Sequence, residues 1–206
     1  MKTIDFDFLN LSSHSTFLDL GCGEGRHAIA LAFEKKISTL LAIDLNLEDL
    51  STAQTKEKET TVLFPKQTDI QWLQGDGLKL PFEDLSIDTI VCSEVLEHID
   101  AYEDMLREIT RVLKPHACLA VSVPRSWPER FCWWLSTEYH QVPGGHIRIF
   151  KQHRLQNQIE QLGFTHYKTH GAHALHIPYW WLKCFFGKHK KTIFSSVGIT
   201  ASWYGI

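Results

Sequence analysis

The chain has 206 residues, of which 44% are hydrophobic and 22% are charged, and its formal net charge is −3 at pH 7. A chain of this length and composition is expected to fold as one globular domain without stabilising disulfide bonds. No apolar run reaches the roughly 18 residues of a membrane span, and Asp5 and Asp7 interrupt the N-terminal stretch. We therefore expect no signal peptide, no transmembrane helix and a cytoplasmic location.

Charged and aromatic residues are distributed unevenly. Residues 1–113 contain 10 Lys or Arg and 21 Asp or Glu, whereas residues 114–206 contain 11 and 3. Six of the seven tryptophans and nine of the twelve histidines lie in the second part. The two parts are predicted to differ in task, even if they share one core. The five cysteines show no C-x-x-C spacing, and we expect buried free thiols at Cys22, Cys92, Cys118, Cys132 and Cys184.

Strand-like and helix-like segments alternate along the first hundred residues. The predicted strands are Thr16–Leu20, 39–43, 70–73 and 89–92, and the predicted helices are 25–36 and 47–57. The clearest helix follows, where apolar residues from Tyr102 to Leu113 recur at helical spacing. Asp100 and Glu103 are predicted to form its capping box, and Pro115 follows its end.

The remaining segments continue the alternation. They are a strand at 117–124, a helix at 151–162 closed by Gly163, and a strand at 164–170. Strands that alternate with helices indicate an α/β fold with a mostly parallel sheet and helices on both faces. We predict that residues 1–206 form a single domain.

The stretch FLDLGCGEGRH (17–27) places Gly21, Gly23 and Gly25 directly after the first predicted strand. Glycine permits positive φ and close approach of a ligand, and ligands of parallel sheets bind at the carboxyl ends of the strands. Asp44 ends the second strand about 20 residues later, the usual distance for a carboxylate that binds ribose hydroxyls. A tight turn without ligand and a helix-capping Asp44 are the alternatives. The combination predicts a ligand that contains a nucleoside.

The loop spacing separates two classes of nucleoside ligand. Dinucleotide folds use G-x-G-x-x-G, which rests a pyrophosphate on the helix N-terminus. Here the loop is G-x-G-x-G, with Asp19 before it and Glu24 inside it. Two carboxylates disfavour a pyrophosphate and suit a cation with an amino group and a sulfonium, such as S-adenosylmethionine. NAD-dependent oxidoreduction is therefore the disfavoured alternative.

Five blocks of the chain resemble the class I S-adenosylmethionine-dependent methyltransferases, nearest to the small-molecule branch that includes ubiquinone-pathway O-methyltransferases. The blocks are FLDLGCGEG (17–25), LLAIDL (40–45), LQGDGLKLPFEDLSIDTIVCSEVLEHI (73–99), MLREITRVLKPHACLAVSVP (105–124) and GGHIRIFKQHRLQNQIEQLGF (144–164). The resemblance implies a methyltransferase of the EC 2.1.1 class with S-adenosylmethionine as its cofactor. It also implies a Rossmann-like, doubly wound sheet of seven strands with the last strand antiparallel.

The same resemblance implies a set of cofactor-binding residues, carried over position by position. They are Asp19, Gly21, Cys22, Gly23 and Gly25 around the methionine moiety, Asp44 at the ribose, Leu45 and Asp76 at the adenine with Gly77 beside it, and Cys92 and Ser93 next to the donor.

Methyl transfer is an in-line displacement at an activated sulfonium, so positioning donor and acceptor is the main task of the protein. A base helps where the acceptor is a weakly acidic hydroxyl or a protonated amine. In SEVLEHI (93–99), we predict that His98 is this base, because imidazole accepts a proton near neutral pH. The alternative is a histidine that only fixes the loop.

The E-x-x-E-H pattern in this segment also resembles a divalent-ion site of small-RNA 2′-O-methyltransferases and some ubiquinone-pathway enzymes. By this resemblance Glu94, Glu97 and His98 would be ligands and His146 the fourth, a set that suits Mg, Mn or Zn. Related sequences share the motif without a metal. We therefore assign no metal and keep the ion as the alternative.

Two aromatic segments bear on the acceptor. The insert RSWPERFCWWLSTEYHQVPGGH (125–146) is interpreted as a lid or pocket wall, with extra core packing as the alternative. The C-terminal segment 171–206 includes PYWWLKCFFGKHKK (178–191), which suits an anionic membrane surface, a lipid-like acceptor or a packed hairpin. We predict a small or medium-sized acceptor with an apolar body, methylated on oxygen.

Two further function classes stay open. The basic, aromatic second part would suit an RNA methyltransferase, since phosphate attraction and base stacking use those residue types. No RNA-binding module is recognisable, so we do not expect a nucleic-acid partner. A non-catalytic binding module with the same fold is the other class, and the intact donor loop is evidence against it.

Overall fold

The computed structural model describes residues 3–127, 130 and 146–171, and the backbone of 201–205. The strands are β1 (Thr16–Leu20), β2 (Thr39–Asp44), β3 (Ile70–Gln74), β4 (Ile87–Ser93), β5 (Leu113–Val123), β6 (His166–Gly171) and β7 (Ala201–Gly205). The α-helices are α1 (Arg26–Glu34), α2 (Leu47–Leu63), α3 (Tyr102–Val112) and α4 (Gln152–Gln161), and 3-10 turns lie at Phe6–Phe8 and Leu96–His98. The predicted alternation is therefore confirmed in the described part of the chain.

Five parallel strands form the part of the sheet that carries the site, in the order β3-β2-β1-β4-β5. The chain runs outward from β1 through β2 to β3 and then continues on the other side of β1 with β4 and β5. This reversal opens a crevice at the carboxyl ends of β1 and β4, where such sheets bind ligands. The backbone of β7 lies antiparallel to β5 and to β6.

Alternate side chains of β1 pack on opposite faces of the sheet. Leu18 and Leu20 belong to a buried cluster that also contains residues of α3 and α4, such as Ile109 and Ile159. Phe17 belongs to a second cluster with residues of α1 and of the N-terminal segment. Because both faces of the strand are covered by helices, the prediction of a doubly wound α/β sheet is confirmed.

The predicted capping box of α3 is wrong. The helix begins at Tyr102 with Ala101 as its N-cap residue, and no side chain caps its first turn. The carboxylate of Asp100 is exposed and lies 3.9 Å from Arg148, which also donates to the Asp100 carbonyl at 3.0 Å. Glu103 accepts from Gln158 of α4 at 3.1 Å instead of reaching back along the helix. Both residues of the predicted capping box are therefore engaged in tertiary contacts instead.

Helix α2 is six residues longer than predicted, since it continues to Leu63 rather than 57. Its last turn is solvent-facing, with Val62 and Leu63 exposed, so it has no apolar repeat that a sequence pattern could reveal. Strand β5 also begins earlier than predicted, at Leu113, directly after α3.

Cys22 and Cys92 are buried free thiols, as predicted. Cys118 is a free thiol but is only half-buried, and Cys132 and Cys184 lie outside the described residues. Most of the predicted lid (125–146) and most of the C-terminal segment (171–206) also lie outside them. Among the helices that are described, none combines the length and the apolar character needed to cross a membrane.

Candidate active site

The glycine-containing loop 21–25 connects β1 to α1 and is fastened to the end of β2. The amides of Gly21 and Cys22 both donate to the carbonyl of Ile43, at 2.9 and 3.0 Å. The amide of Gly25 donates to the carbonyl of Cys22 at 2.9 Å and closes the turn. The loop is therefore held in place at the sheet crevice by backbone hydrogen bonds.

The three glycines of this loop all have positive φ, but the lack of a side chain has a different consequence at each of them. A Cβ at Gly21 would collide with the side chain of Val95, and a Cβ at Gly25 would lie 2.6 Å from Trp72. At Gly23, φ is +49° and no described atom lies within 4 Å of the Cβ position. Gly21 and Gly25 thus permit close packing, whereas Gly23 leaves the backbone open to a ligand.

Asp44 connects the end of β2 to this loop. Its Oδ2 accepts from the amide of Gly23 at 2.7 Å, and its Oδ1 accepts from the amide of Asn46 at 2.9 Å. Each carboxylate oxygen can accept a second hydrogen bond. The half-buried carboxylate is thus fixed by backbone donors and retains the capacity to accept from two hydroxyl groups.

Asp19 is the buried acid of the site, with 1% of its surface exposed. Its Oδ2 accepts from the amide of Ala28 at 2.9 Å. Burial raises the pKa of Asp19 to about 7, against the opposing effects of the Ala28 hydrogen bond and the charge of Arg26. The other loop acid, Glu24, forms an ion pair with Lys56 of α2, so part of its charge is already compensated.

The residues predicted at the adenine lie at the ends of β2 and β3. Leu45 is 68% exposed and offers an apolar surface, and Asp76 is exposed with its Oδ1 accepting from the amide of Leu78 at 2.9 Å. Gly77 is buried, and a Cβ there would collide with Met105 of the core. The missing side chain at Gly77 therefore serves packing between the loop and α3.

The residues predicted on the acceptor side begin where β4 ends. Glu94 has the left-handed φ of +59°, and its amide donates to the carbonyl of Ser122 at 3.0 Å. The amide of Ile147 donates to the carbonyl of Glu97 at 3.0 Å, which joins the segment after the insert to the turn after β4. The rings of His98 and His146 consequently meet edge to face, with their centroids 4.8 Å apart.

The four side chains of the metal alternative are only partly brought together. Ligand atoms of Glu97, His98 and His146 lie within 4.8 Å of one another, and the Glu97 side chain is fully buried. Glu94 is not a member of this group, since its Oε1 accepts from the hydroxyl of Ser122 at 3.1 Å. The arrangement offers one carboxylate and two imidazoles. Such groups can bind a divalent ion, and an imidazole among them can also act as a general base.

Three polar residues near the site, Thr3, His27 and Ser122, were not predicted from the sequence. The hydroxyl of Ser93, a predicted site residue, contacts the hydroxyls of Thr3 and Ser122, at 2.9 and 2.7 Å. Thr3 in turn lies 2.8 Å from Nε2 of His27. The available signals were weak: a single serine in the apolar run ACLAVSVP, and a histidine on the inward face of α1.

Comparison with known proteins agrees with this geometry. A family model described as a methyltransferase domain matches residues 18–121. Demethylmenaquinone methyltransferase of Staphylococcus saprophyticus is 26% identical over 197 residues, covering 83% of this chain and 81% of that protein. A 2-phytyl-1,4-naphtoquinone methyltransferase of Nostoc punctiforme is 32% identical over 143 residues, covering 68% and 53%.

The comparison with solved structures agrees with the fold at lower identity. A solved S-adenosylmethionine-dependent methyltransferase of Methanosarcina mazei superimposes with a TM-score of 0.71 at 18% identity, covering 100% of this chain and 97% of that one. The glycine loop, the carboxylate after β2 and the family match coincide within one stretch of the chain. The protein belongs to the class I S-adenosylmethionine-dependent methyltransferases, with S-adenosylmethionine as its cofactor.

Proposed function

We propose that the protein transfers the methyl group of S-adenosylmethionine to a quinol-like acceptor, a small or medium-sized ring with a hydroxyl and an apolar body. The similarity to two proteins that are named for quinone substrates carries this proposal. The aromatic insert at 125–146 supports an apolar acceptor by its composition, and we propose that it is a lid or pocket wall.

We propose that the donor occupies the crevice at the ends of β1 to β4. The open backbone of Gly23 and the carboxylate of Asp19 would hold the methionine moiety, and Asp44 would accept from the ribose hydroxyls. The exposed side chain of Leu45 would cover the adenine, with Asp76 at its amine. The remaining members of the proposed cofactor-binding set are Gly21, Cys22, Gly25, Gly77, Cys92 and Ser93.

We propose His98 as the catalytic base. It lies in the turn after β4, and its ring meets that of His146 edge to face. A neutral imidazole would take the proton of the acceptor hydroxyl, so that the oxygen attacks the methyl group as an anion. The positive sulfonium would stabilise this anion electrostatically, and the reaction then needs no Lewis acid.

The acceptor atom distinguishes two versions of the proposal. Loss of a proton from a quinol gives an anion whose charge is shared between oxygen and the neighbouring ring carbon. We propose methylation on oxygen, with ring carbon as the second candidate. Carbon-13 NMR of the product made with labelled donor separates the two, because a methyl on oxygen and a methyl on carbon resonate far apart.

Two other functions remain as second candidates. The excess of Lys and Arg in residues 114–206 favours RNA as an acceptor, which requires salt-dependent RNA binding. A fold that binds the donor without transferring its methyl group is the other, and it predicts donor binding with no product from any acceptor.

We also propose that residues 1–206 form a single domain with a seven-stranded sheet, in the order β3-β2-β1-β4-β5-β7-β6. The backbone pairing of 201–205 with β5 and β6 supports this count. Removal of residues 201–206 should then increase amide hydrogen exchange in β5 and β6 but not in β2 and β3. Cell fractionation tests the proposed cytoplasmic location, and vesicle co-sedimentation tests contact of 178–191 with an anionic membrane.

The deciding experiment measures methyl transfer from radiolabelled S-adenosylmethionine to three acceptors: a short-chain naphthoquinol, a hydroxylated benzoquinol and total RNA. We expect product from a quinol and none from RNA. Reactions without enzyme serve as the blank, and the Asp44→Ala variant should form the same product but require a higher concentration of donor. Transfer to RNA alone, or to none of the acceptors despite donor binding, would reject the proposal.

A further inference from the structure

The glycine-containing loop 21–25 ends on an aromatic side chain of β3. The Cβ position of Gly25 lies 2.6 Å from Cη2 of Trp72, and 3.0 Å from the Cβ of Ala53 in α2. Ala53 is fully buried and Trp72 is half-buried. No room is left for a side chain between Gly25 and the indole ring, so the position of the ring limits the position of Gly25.

The indole of Trp72 is held in turn by a buried acid of α2. Its Nε1 donates to Oε2 of Glu57 at 2.7 Å, and Nζ of Lys66 donates to Oε1 of the same carboxylate at 2.8 Å. The side chains of Glu57 and Lys66 are only 12% and 22% exposed. Indole has one hydrogen-bond donor and no acceptor, and a bond to a carboxylate is stronger than one to a neutral group. Glu57 therefore fixes the orientation of the ring beneath Gly25.

Gly25 connects the ring to the part of the loop that is open to a ligand. Its amide donates to the carbonyl of Cys22 at 2.9 Å, and its carbonyl accepts from the amide of Ile29 at 2.8 Å, where α1 begins. Gly23, the position whose backbone is open, lies inside the turn that the first of these bonds closes. A displacement of Gly25 would therefore move the Gly23 backbone and the first turn of α1 together.

We propose that Trp72 and Glu57 are positioning residues of the donor site. Glu57 orients the indole, the indole sets the position of Gly25, and the loop then presents Gly23 to S-adenosylmethionine. Neither side chain is assigned a contact with the cofactor. The proposal rests on the proposed donor site, to which it adds side chains from β3 and α2. A contact that only stabilised the fold would change the thermal midpoint but leave the cofactor affinity of the folded protein unchanged.

Two variants at position 57 separate the support of Trp72 from the ion pair with Lys66. Both Glu57→Gln and Glu57→Met remove the ion pair, and in both Lys66 retains its other partner, Asp69. Only glutamine has an oxygen that can accept from the indole.

Calorimetric titration of the full chain measures the affinity of each variant for S-adenosylmethionine. Glu57→Gln should stay within about twofold of the wild type, whereas Glu57→Met should bind roughly tenfold more weakly, the scale of one lost hydrogen bond (~1.4 kcal/mol). Glu59→Met, at an exposed position of the same helix, is the matched control and should bind as the wild type does. Equal losses of affinity in Glu57→Gln and Glu57→Met would overturn the proposal.

Trp72→Phe tests the same support without changing a charge, so it decides the question even if Glu57→Met does not fold. It removes the indole N–H and the outer part of the ring beneath Gly25, and it should weaken binding by a similar factor. In the Trp72→Phe background, Glu57→Met should cause no further loss, because it acts through the ring. Wild-type affinity in folded Trp72→Phe would overturn the proposal. Failure of the wild type to bind S-adenosylmethionine would instead reject the donor site itself.

Discussion

The proposed donor side and the proposed acceptor side of the crevice differ in how far they depend on side chains. Most of the proposed donor side lies within residues 19–77, and backbone amides hold its loop and its carboxylates, as at Gly21, Gly23 and Ala28. The acceptor side joins the turn after β4 to residues near 146, some fifty positions further along the chain. Backbone hydrogen bonds of Glu94 and Ile147 hold this side as well, but the groups proposed to act there are side chains, such as the His98 ring, which meets that of His146 edge to face.

This difference implies a division of specificity. A backbone-built donor site can bind the same cofactor through many changes of side chain, because its hydrogen-bond donors are common to all residues. A side-chain-built acceptor site changes its chemistry whenever one residue changes. Fold and cofactor therefore follow from the family, whereas the acceptor must be established on this protein. Mutations on the two sides should also separate kinetically: donor-side changes in affinity, acceptor-side changes in turnover.

The largest effect is expected from His98→Gln on the acceptor side. Removal of a general base typically costs about 10²- to 10⁴-fold in rate, so kcat should fall by that range while the affinity for S-adenosylmethionine stays within twofold (~0.4 kcal/mol). Steady-state kinetics and calorimetric titration measure the two quantities. His153→Gln, at an exposed position of α4, is the matched control. Equal kcat in His98→Gln and the control would reassign His98 to fixing the loop.

The next effect is expected from Asp44→Ala on the donor side. Hydrogen bonds to a charged group contribute about 1.5–3 kcal/mol, so the affinity for S-adenosylmethionine should fall roughly ten- to hundredfold. Part of this loss comes from release of the Gly23 amide, which Asp44 binds at 2.7 Å. Calorimetric titration measures the affinity, and far-UV circular dichroism checks the fold. The exposed Asp104→Ala variant should bind normally, and unchanged affinity in Asp44→Ala would remove Asp44 from the site.

The same division decides how much could be predicted from the sequence. The strand–helix alternation, the glycine loop and Asp44 could be predicted from local sequence patterns, because a strand, a turn and a helix follow one another within 30 residues. The distinct roles of Gly23 and Gly77 could not be predicted, since they depend on whether Val95, Trp72 or Met105 packs against each position.

Motifs on the acceptor side were less reliable guides. The capping box of Asp100 and Glu103 failed because Arg148 and Gln158, which are distant in sequence, bind those two residues. The pairing of His98 with His146 was suggested only through the family resemblance, since no local pattern relates residues 48 positions apart. The contacts of the Ser93 hydroxyl with those of Ser122 and Thr3 were not predicted, because a single serine or threonine in an apolar stretch forms no recurring pattern.

A smaller effect on the donor side is a pH dependence of cofactor affinity. Burial raises the pKa of Asp19 to about 7, so the free protein carries a protonated Asp19 below that pH. A bound cation favours the carboxylate, and binding must then release a proton. The affinity for S-adenosylmethionine should fall as the pH drops from 7 to 5.5, by at most about tenfold per unit for one proton. Calorimetry in buffers of different ionisation enthalpy counts the proton released.

Asp19→Asn is the matched variant, because the amide oxygen can still accept from Ala28. Its affinity should be lower at pH 7.5 and lack the dependence between pH 5.5 and 7. In the free protein the sign is reversed: a raised pKa stabilises the fold when Asp19 is protonated, and this contribution is lost as the pH rises through about 7. The thermal midpoint of the wild type should therefore drop relative to Asp19→Asn over that range. If the thermal midpoints of the wild type and of Asp19→Asn changed equally with pH, the raised pKa of Asp19 would be contradicted.

The smallest effect is expected on the acceptor side, from removal of divalent ions. The sulfonium is already activated and His98 can take the acceptor proton, so the proposed reaction needs no Lewis acid. Turnover after treatment with a strong chelator should stay within twofold of the untreated enzyme. Loss of activity that returns with added Mg, Mn or Zn would show instead that Glu97, His98 and His146 hold an ion. In that case calorimetry should show that the ion binds the wild type and binds His98→Gln more weakly. If His98 acts only as a base, neither protein should bind the ion.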